Sequence, residues 1–197
     1  LILTCAVISS VLSRTRYYTP FKEILSSDGV VLRVTDTGED ISKLDGVAGS
    51  YGVYSWGGLF SKDSGEVFEG SSYSYALDDE YIKAISPELS EGEWLDKDSG
   101  ELQCVITDFG GLAVSDTVKA GFTYYLPEDT DFTEPQRKVL EFKVVGILAD
   151  GAKIPDISRG YEKEEFDFRN LYHDYSYEAD GYPVMFTSLS QLNGEGI

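Results

Sequence analysis

Two runs of strict alternation decide what this chain can fold into. Val118, Ala120, Phe122, Tyr124 and Leu126 alternate with Lys119, Gly121, Thr123 and Tyr125, and Leu140, Phe142 and Val144 alternate with Glu141 and Lys143. Period two marks a strand with one face buried and the other in water, so the pair predicts an antiparallel hairpin. Its connection, residues 127–137, is long, acidic and without apolar periodicity, which predicts an exposed tip. Further strands are expected at 30–34 (VVLRV), 47–54, 67–77, 103–107 and 183–187; in 67–77, Tyr73, Tyr75 and Leu77 alternate with small or polar residues as on a half-buried strand. Short helices separate them. Thr19-Pro20 starts one that Asp28-Gly29 stops, residues 38–44 hold one turn, and Asp78 caps another running to about Ile85, which Pro87 helps to end. Residues 189–192 begin a further element. Strands of a mixed or antiparallel sheet separated by short helices define an α+β class.

Composition narrows the function. Among 197 residues, 42% are hydrophobic and 14 are Tyr and 10 Phe, enough apolar surface to offset the ordering entropy that keeps acidic tails disordered. A net charge of −19 supplies no broad basic surface for releasing counterions from phosphates, so no nucleic-acid partner is expected. Two cysteines are too few for a disulfide framework, and a single histidine argues against a His-based metal cluster. Cys5 lies in an apolar run and Cys104 in an expected strand, so both read as small buried hydrophobes.

No catalytic constellation stands out. The only histidine, His173, sits in a Tyr- and Asp-rich stretch, and the chain holds neither a G-x-S-x-G elbow nor a Walker A loop. In Asp96-Lys97-Asp98-Ser99-Gly100 the glycine is fifth where a calcium loop needs it sixth, and Thr107 stands where the bidentate Glu belongs. With 35 Asp and Glu, some pair always falls at glycosidase spacing, so that signal discriminates nothing. The chain is expected to be non-enzymatic and to need no cofactor. Lys62-Asp63-Ser64-Gly65-Glu66 recurs as Lys97-Asp98-Ser99-Gly100-Glu101, which reads as shared tight-turn chemistry around a left-handed residue rather than duplication.

Charge is unevenly placed. Residues 1–35 carry a net +2 and the remainder −21. Leu1 to Leu12 is uncharged and mostly apolar, and Arg14, Arg16, Tyr17 and Tyr18 follow, a mixture suited to a headgroup interface. The organisation expected from this is the truncated end of a membrane helix over residues 1–16, with the tail of a signal peptide's apolar core or an ordinary buried helix or strand as the alternatives, and a folded domain over 17–197, cut before its C-terminal completion.

Four segments carry a resemblance. Leu89-Ser90-Glu91-Gly92-Glu93-Trp94-Leu95, Gln103-Cys104-Val105-Ile106, Leu112-Ala113-Val114-Ser115-Asp116-Thr117-Val118 and Phe142-Lys143-Val144-Val145-Gly146-Ile147-Leu148 follow one another in an order that resembles the extracytoplasmic core domain of FtsX/MacB-type ABC-transporter permeases. Pro183-Val184-Met185-Phe186 is similar to a later strand of that family. The chain departs at Glu93, where Arg is usual, and at Ser115, where Gly is usual. The resemblance implies that residues 1–16 end a first transmembrane helix and that 17–197 form a two-lobed α+β extracytoplasmic domain, outside the cell membrane. Its implied partners are a second permease subunit and, through the membrane part, a separate or fused cytoplasmic ATPase. Its implied work is to relay motion or engage cargo in peptide or lipoprotein export, resistance to peptide antibiotics or control of a cell-wall hydrolase. The alternative from another class is a free-standing secreted or lipid-anchored module binding peptide or glycan.

The stretch from Tyr161 to Tyr182 is a candidate binding surface, the alternative being that its rings pack under the lobe while its acids are solvated. Tyr161, Phe166, Phe168, Tyr172, Tyr175 and Tyr177 are interleaved there with Glu162, Glu164, Glu165, Asp167, Asp174, Glu178 and Asp180. Rings among carboxylates suit a cationic peptide, lipid-linked cargo or an extracellular protein through ring contact and cation–π attraction.

Overall fold

A computed structural model describes residues 41–47, 49–56, 60–61, 73–109, 111–126, 130–155, 172–175 and 183–197. A 3-10 turn at Ile41–Lys43 precedes strands β1 (Val53–Trp56), β2 (Phe60–Ser61) and β3 (Tyr73–Leu77). Helix α1 (Asp79–Ala84) and strands β4 (Leu89–Gly92), β5 (Gln103–Ile106), β6 (Thr117–Tyr124) and β7 (Gln136–Leu148) follow. The last elements are β8 (Ala152–Pro155), β9 (Tyr172–Tyr175), β10 (Val184–Ser188) and α2 (Leu189–Gly194). Eight strands make one mixed sheet in the order β1-β3-β10-β5-β7-β6-β2, with β4 joined to β7, and β8 and β9 pair separately. The class is α+β, as the alternation of strand and short-helix signals requires.

The expected hairpin is the backbone of this sheet. β6 and β7 pair antiparallel from Thr117↔Lys143 to Tyr124↔Gln136, and the burial of β7 alternates over its first nine residues. β7 then continues to Leu148, four residues past the expected alternation, because its far half meets different neighbours. β5 runs parallel along it, and β4 pairs antiparallel with its last residues. β5 already occupies one edge of β7 over 143–147, so β4 takes the edge that β6 leaves at Thr117.

Apolar side chains cover both faces of the sheet. One core gathers Tyr75, Leu77, Val105, Val184 and Phe186 from the strands with Tyr81, Ile82 and Ile85 from α1 and its end. The other gathers Ala76, Cys104, Ile106, Met185, Val118, Phe122, Leu140, Phe142 and Val144 with Leu192 from α2. β3 therefore corrects one expectation. It is buried throughout its described side chains, Ser74 to Leu77, rather than half-buried, because β1 and β10 flank it and both faces are packed. A β-bulge at Val145, where the β5 pairing steps from Val144 to Gly146, adds one residue to β7. Phe142, Val144 and Ile147 thereby reach the same core despite an uneven spacing.

Other boundaries moved. The strand expected over 47–54 is shorter and later, at Val53–Trp56, after a glycine-punctuated approach. Residues 19–34, the apolar start 1–16 and the first DSG turn lie outside the described residues. The second DSG turn is an Asx turn: Asp98 N–H donates to Asp96 Oδ1 at 3.0 Å and Ser99 N–H to Asp96 O at 3.1 Å. Gly100 does not adopt the left-handed conformation expected of it.

Asp78 caps α1 as expected. One carboxylate oxygen accepts from Tyr81 N–H at 2.7 Å, and the other accepts from Gly52 N–H, tying the helix start to the chain entering β1. Burial raises the carboxyl above its ordinary value of 3.8, aided by Glu80 and Asp79, against the pull of the two backbone donors. Asp78→Ala should cost about 2 kcal/mol, measured by urea unfolding. Because the folded-state value lies above the unfolded one, the contribution of this proton favours folding below 3.8 and is lost as pH rises through the folded value. The stability of the parent relative to Asp78→Asn should therefore fall across the range just above 3.8. A difference that stays level there would refute it.

Candidate functional site

Three of the segments that carry the resemblance meet at one point of the fold. Glu93 N–H donates to Val145 O at 2.9 Å, Ser115 N–H to Val144 O at 2.8 Å, and Val144 N–H to Asp116 O at 2.9 Å. The end of β4, the start of β6 and the bulge of β7 are thus stitched together through main-chain bonds. Asp116 closes the turn before β6 by accepting from Ala113 N–H at 3.0 Å. Gly92 sits at φ +78°, and a Cβ there would fall 2.1 Å from Val145 O; one on Gly146 would fall 2.4 Å from Glu93 O. Only residues without a side chain let the two backbones approach so closely. Trp94 then anchors the exit, donating from Nε1 to Ile82 O at 3.1 Å and lying 6.1 Å from the Phe186 ring. The joint offers main-chain geometry and rigidity rather than reactive groups.

Ser115 occupies a left-handed position at φ +78°, which a residue with a Cβ adopts at a cost of about 1–2 kcal/mol. Ser115→Gly removes that strain and returns part of it as unfolded-chain entropy. A gain of up to about 1 kcal/mol is expected, read as a raised urea midpoint with an unchanged slope; a lowered midpoint would contradict the role given to this turn.

The aromatic stretch is only partly placed. Tyr161, Phe166, Phe168 and Tyr177 lie outside the described residues. Tyr172 and Tyr175 bound β9, opposite Pro155 and Ala152, with His173 opposite Ile154. Ala152 is buried in the first core, which roots the ribbon beside the end of β7. Cys104 is buried and its thiol is pushed far up by desolvation, as the sequence suggests for a small core residue. Among the described residues, no group of three or more His, Cys, Asp or Glu is placed to hold a metal ion, and no helix is long and apolar enough to cross a membrane.

Sequence reasoning missed the character of the hairpin tip. Its described residues 130–135 are exposed, with Asp131 and Glu134 among them, yet Tyr125, Leu126 and Phe132 are also exposed there. The Tyr125 and Phe132 rings meet edge to face with centroids 5.3 Å apart. The available signal was a pair of apolar residues, Tyr125-Leu126, running past the end of the strand into an acidic loop with one Phe.

No family model matches the chain, and no curated protein matches it.

Proposed function

We propose that the chain is the extracytoplasmic domain of an ABC-transporter permease of the FtsX/MacB type, with residues 1–16 the end of a first transmembrane helix and 17–197 a two-lobed core on the outer side of the cell membrane. The observation that supports this is the convergence of three resemblance-bearing segments on one joint, where Gly92 and Gly146 permit contact and main-chain bonds join β4, β6 and β7. A shared pattern is expected to persist where close backbone approach demands it. A sheet packed on both faces is stiff and moves as a rigid body. In this role the domain carries the displacement of membrane helices outward or engages cargo. It works beside a second permease subunit, while ATP is hydrolysed in a cytoplasmic subunit or domain. Tyr161, Phe166, Phe168, Tyr172, Tyr175 and Tyr177 are its proposed contacts for a cationic peptide, lipid-linked cargo or an extracellular protein.

Reading the gene past both ends tests the proposal. Three further apolar segments of about 20 residues beyond Ile197 are expected. A stop codon there, with no apolar span on either flank, would overturn it in favour of a free-standing secreted or lipid-anchored binding module.

A further inference from the structure

The tip of the β6–β7 hairpin presents apolar side chains that neither core uses. Tyr125 and Leu126 are each 40% exposed and Phe132 is 68% exposed. The two rings pack on each other edge to face, so they form a surface rather than isolated residues. Phe132 holds φ +53°, a left-handed conformation that disfavours a bulky side chain. Glycine or asparagine would fold more readily there, so an outward-facing ring at this position is poorly explained by stability and points to use.

Charge selects the occupant. Among the described residues of the tip, 125–126 and 130–135, Asp131 and Glu134 are acidic and none is a cation. The lysines of the stem are engaged by acids of the same chain: Lys119 by Glu141 at 3.2 Å, Lys143 by Glu101 at 3.2 Å, and Lys138 by Glu195. Arg137 stands at the base. A second copy would bring the same acidic tip and the same −19 charge, and an anionic lipid surface is repelled likewise. Complementary charge and exposed aromatic anchors together describe a polypeptide segment in which Lys or Arg alternates with apolar residues. We infer that the tip formed by Tyr125, Leu126 and Phe132 docks a cationic amphipathic segment of a partner polypeptide. The inference needs only this hairpin, and it stands whether or not the chain belongs to a transporter.

Titration of the full chain with a short fluorescein-labelled peptide of alternating Lys and Leu tests it, with a Lys/Ser peptide as the probe lacking anchors. The Lys/Leu peptide should bind at least about 10-fold tighter than the Lys/Ser one, and Tyr125→Ser with Phe132→Ser should remove most of that difference. Phe132→Gly, which relieves the backbone, should weaken binding while holding or raising the melting temperature, so a folding defect cannot mimic the loss. Equal affinity of parent and double variant overturns the inference. So does a loss confined to a Tyr172→Ser, Tyr175→Ser, Tyr177→Ser variant, which would place binding on the other aromatic stretch. Tip-dependent self-association in sedimentation, or tip-dependent binding to phosphatidylglycerol vesicles in place of the peptide, would each name a different occupant and overturn it as well.

Discussion

Gly146→Ala is expected to pry β4 from β7 and to cost about 3 kcal/mol or more. The added methyl would stand 2.4 Å from Glu93 O and 3.3 Å from Glu93 C, both main-chain atoms that no rotamer change can clear. Relief requires the end of β4 to withdraw, which lengthens or breaks the bond from Glu93 N–H to Val145 O. Gly92→Ala should be at least as severe, since it adds left-handed strain to contacts of 2.1 Å with Val145 O and 2.9 Å with Gly146 Cα. Against a total stability of about 5–15 kcal/mol, either change can unfold the domain at physiological temperature. Trp94 lies just beyond the joint and bonds Ile82 O. In a Trp56→Phe background its emission should therefore shift to the red along with the lowered melting temperature. Gly100→Ala is the control, having open space around its Cβ and no left-handed φ. A Gly146→Ala protein that melts with the parent and keeps its Trp94 emission would mean that the joint does not hold the sheet together.

That joint also shows where sequence reading succeeds and where it stops. The glycines and turn residues of the joint could be picked out in the sequence as motifs, yet nothing in Leu89-Ser90-Glu91-Gly92 reads as a strand. β4 lacks β-branched and aromatic residues, and its pairing rests on the approach that Gly92 and Gly146 allow. β6 and the first part of β7 could be read directly because a one-sided strand writes its environment into alternate residues. The bulge at Val145 could not, because in FKVVGIL every residue past Lys143 is apolar or glycine, and such a run looks the same whichever face each residue takes. β3 misled for a related reason. Its second face is packed through Ser74 and Ala76, small residues that look exposed in a hydropathy pattern. The capping of α1 was readable at Asp78, whereas the reach of its second oxygen to Gly52 joins residues far apart in the chain. Of the rings of the expected ligand surface, Tyr172 and Tyr175 alone fall among the described residues, at the two ends of β9. The apolar tip went unread because an acidic loop is ordinarily taken as solvated spacer.

Phe142→Ala is the complementary expectation, and it concerns filling rather than approach. Phe142 is fully buried at the middle of the inward row of β7, opposite Val118 in the pairing with β6 and 6.0 Å from the Phe122 ring. Truncation removes the largest side chain of that row and leaves a cavity bounded by backbone on the sheet side, where collapse is least possible. A loss of about 3–5 kcal/mol should follow, seen as a lowered urea midpoint. Val139→Ala, three positions earlier on the same strand and 45% exposed, should change stability by less than about 0.5 kcal/mol. Two apolar truncations on one strand would then differ by several kcal/mol solely because one residue faces the core and the other faces water. Comparable losses at the two positions would mean that the register of β7 is shifted by one residue, which would turn its whole apolar set to the other face and take the second core apart.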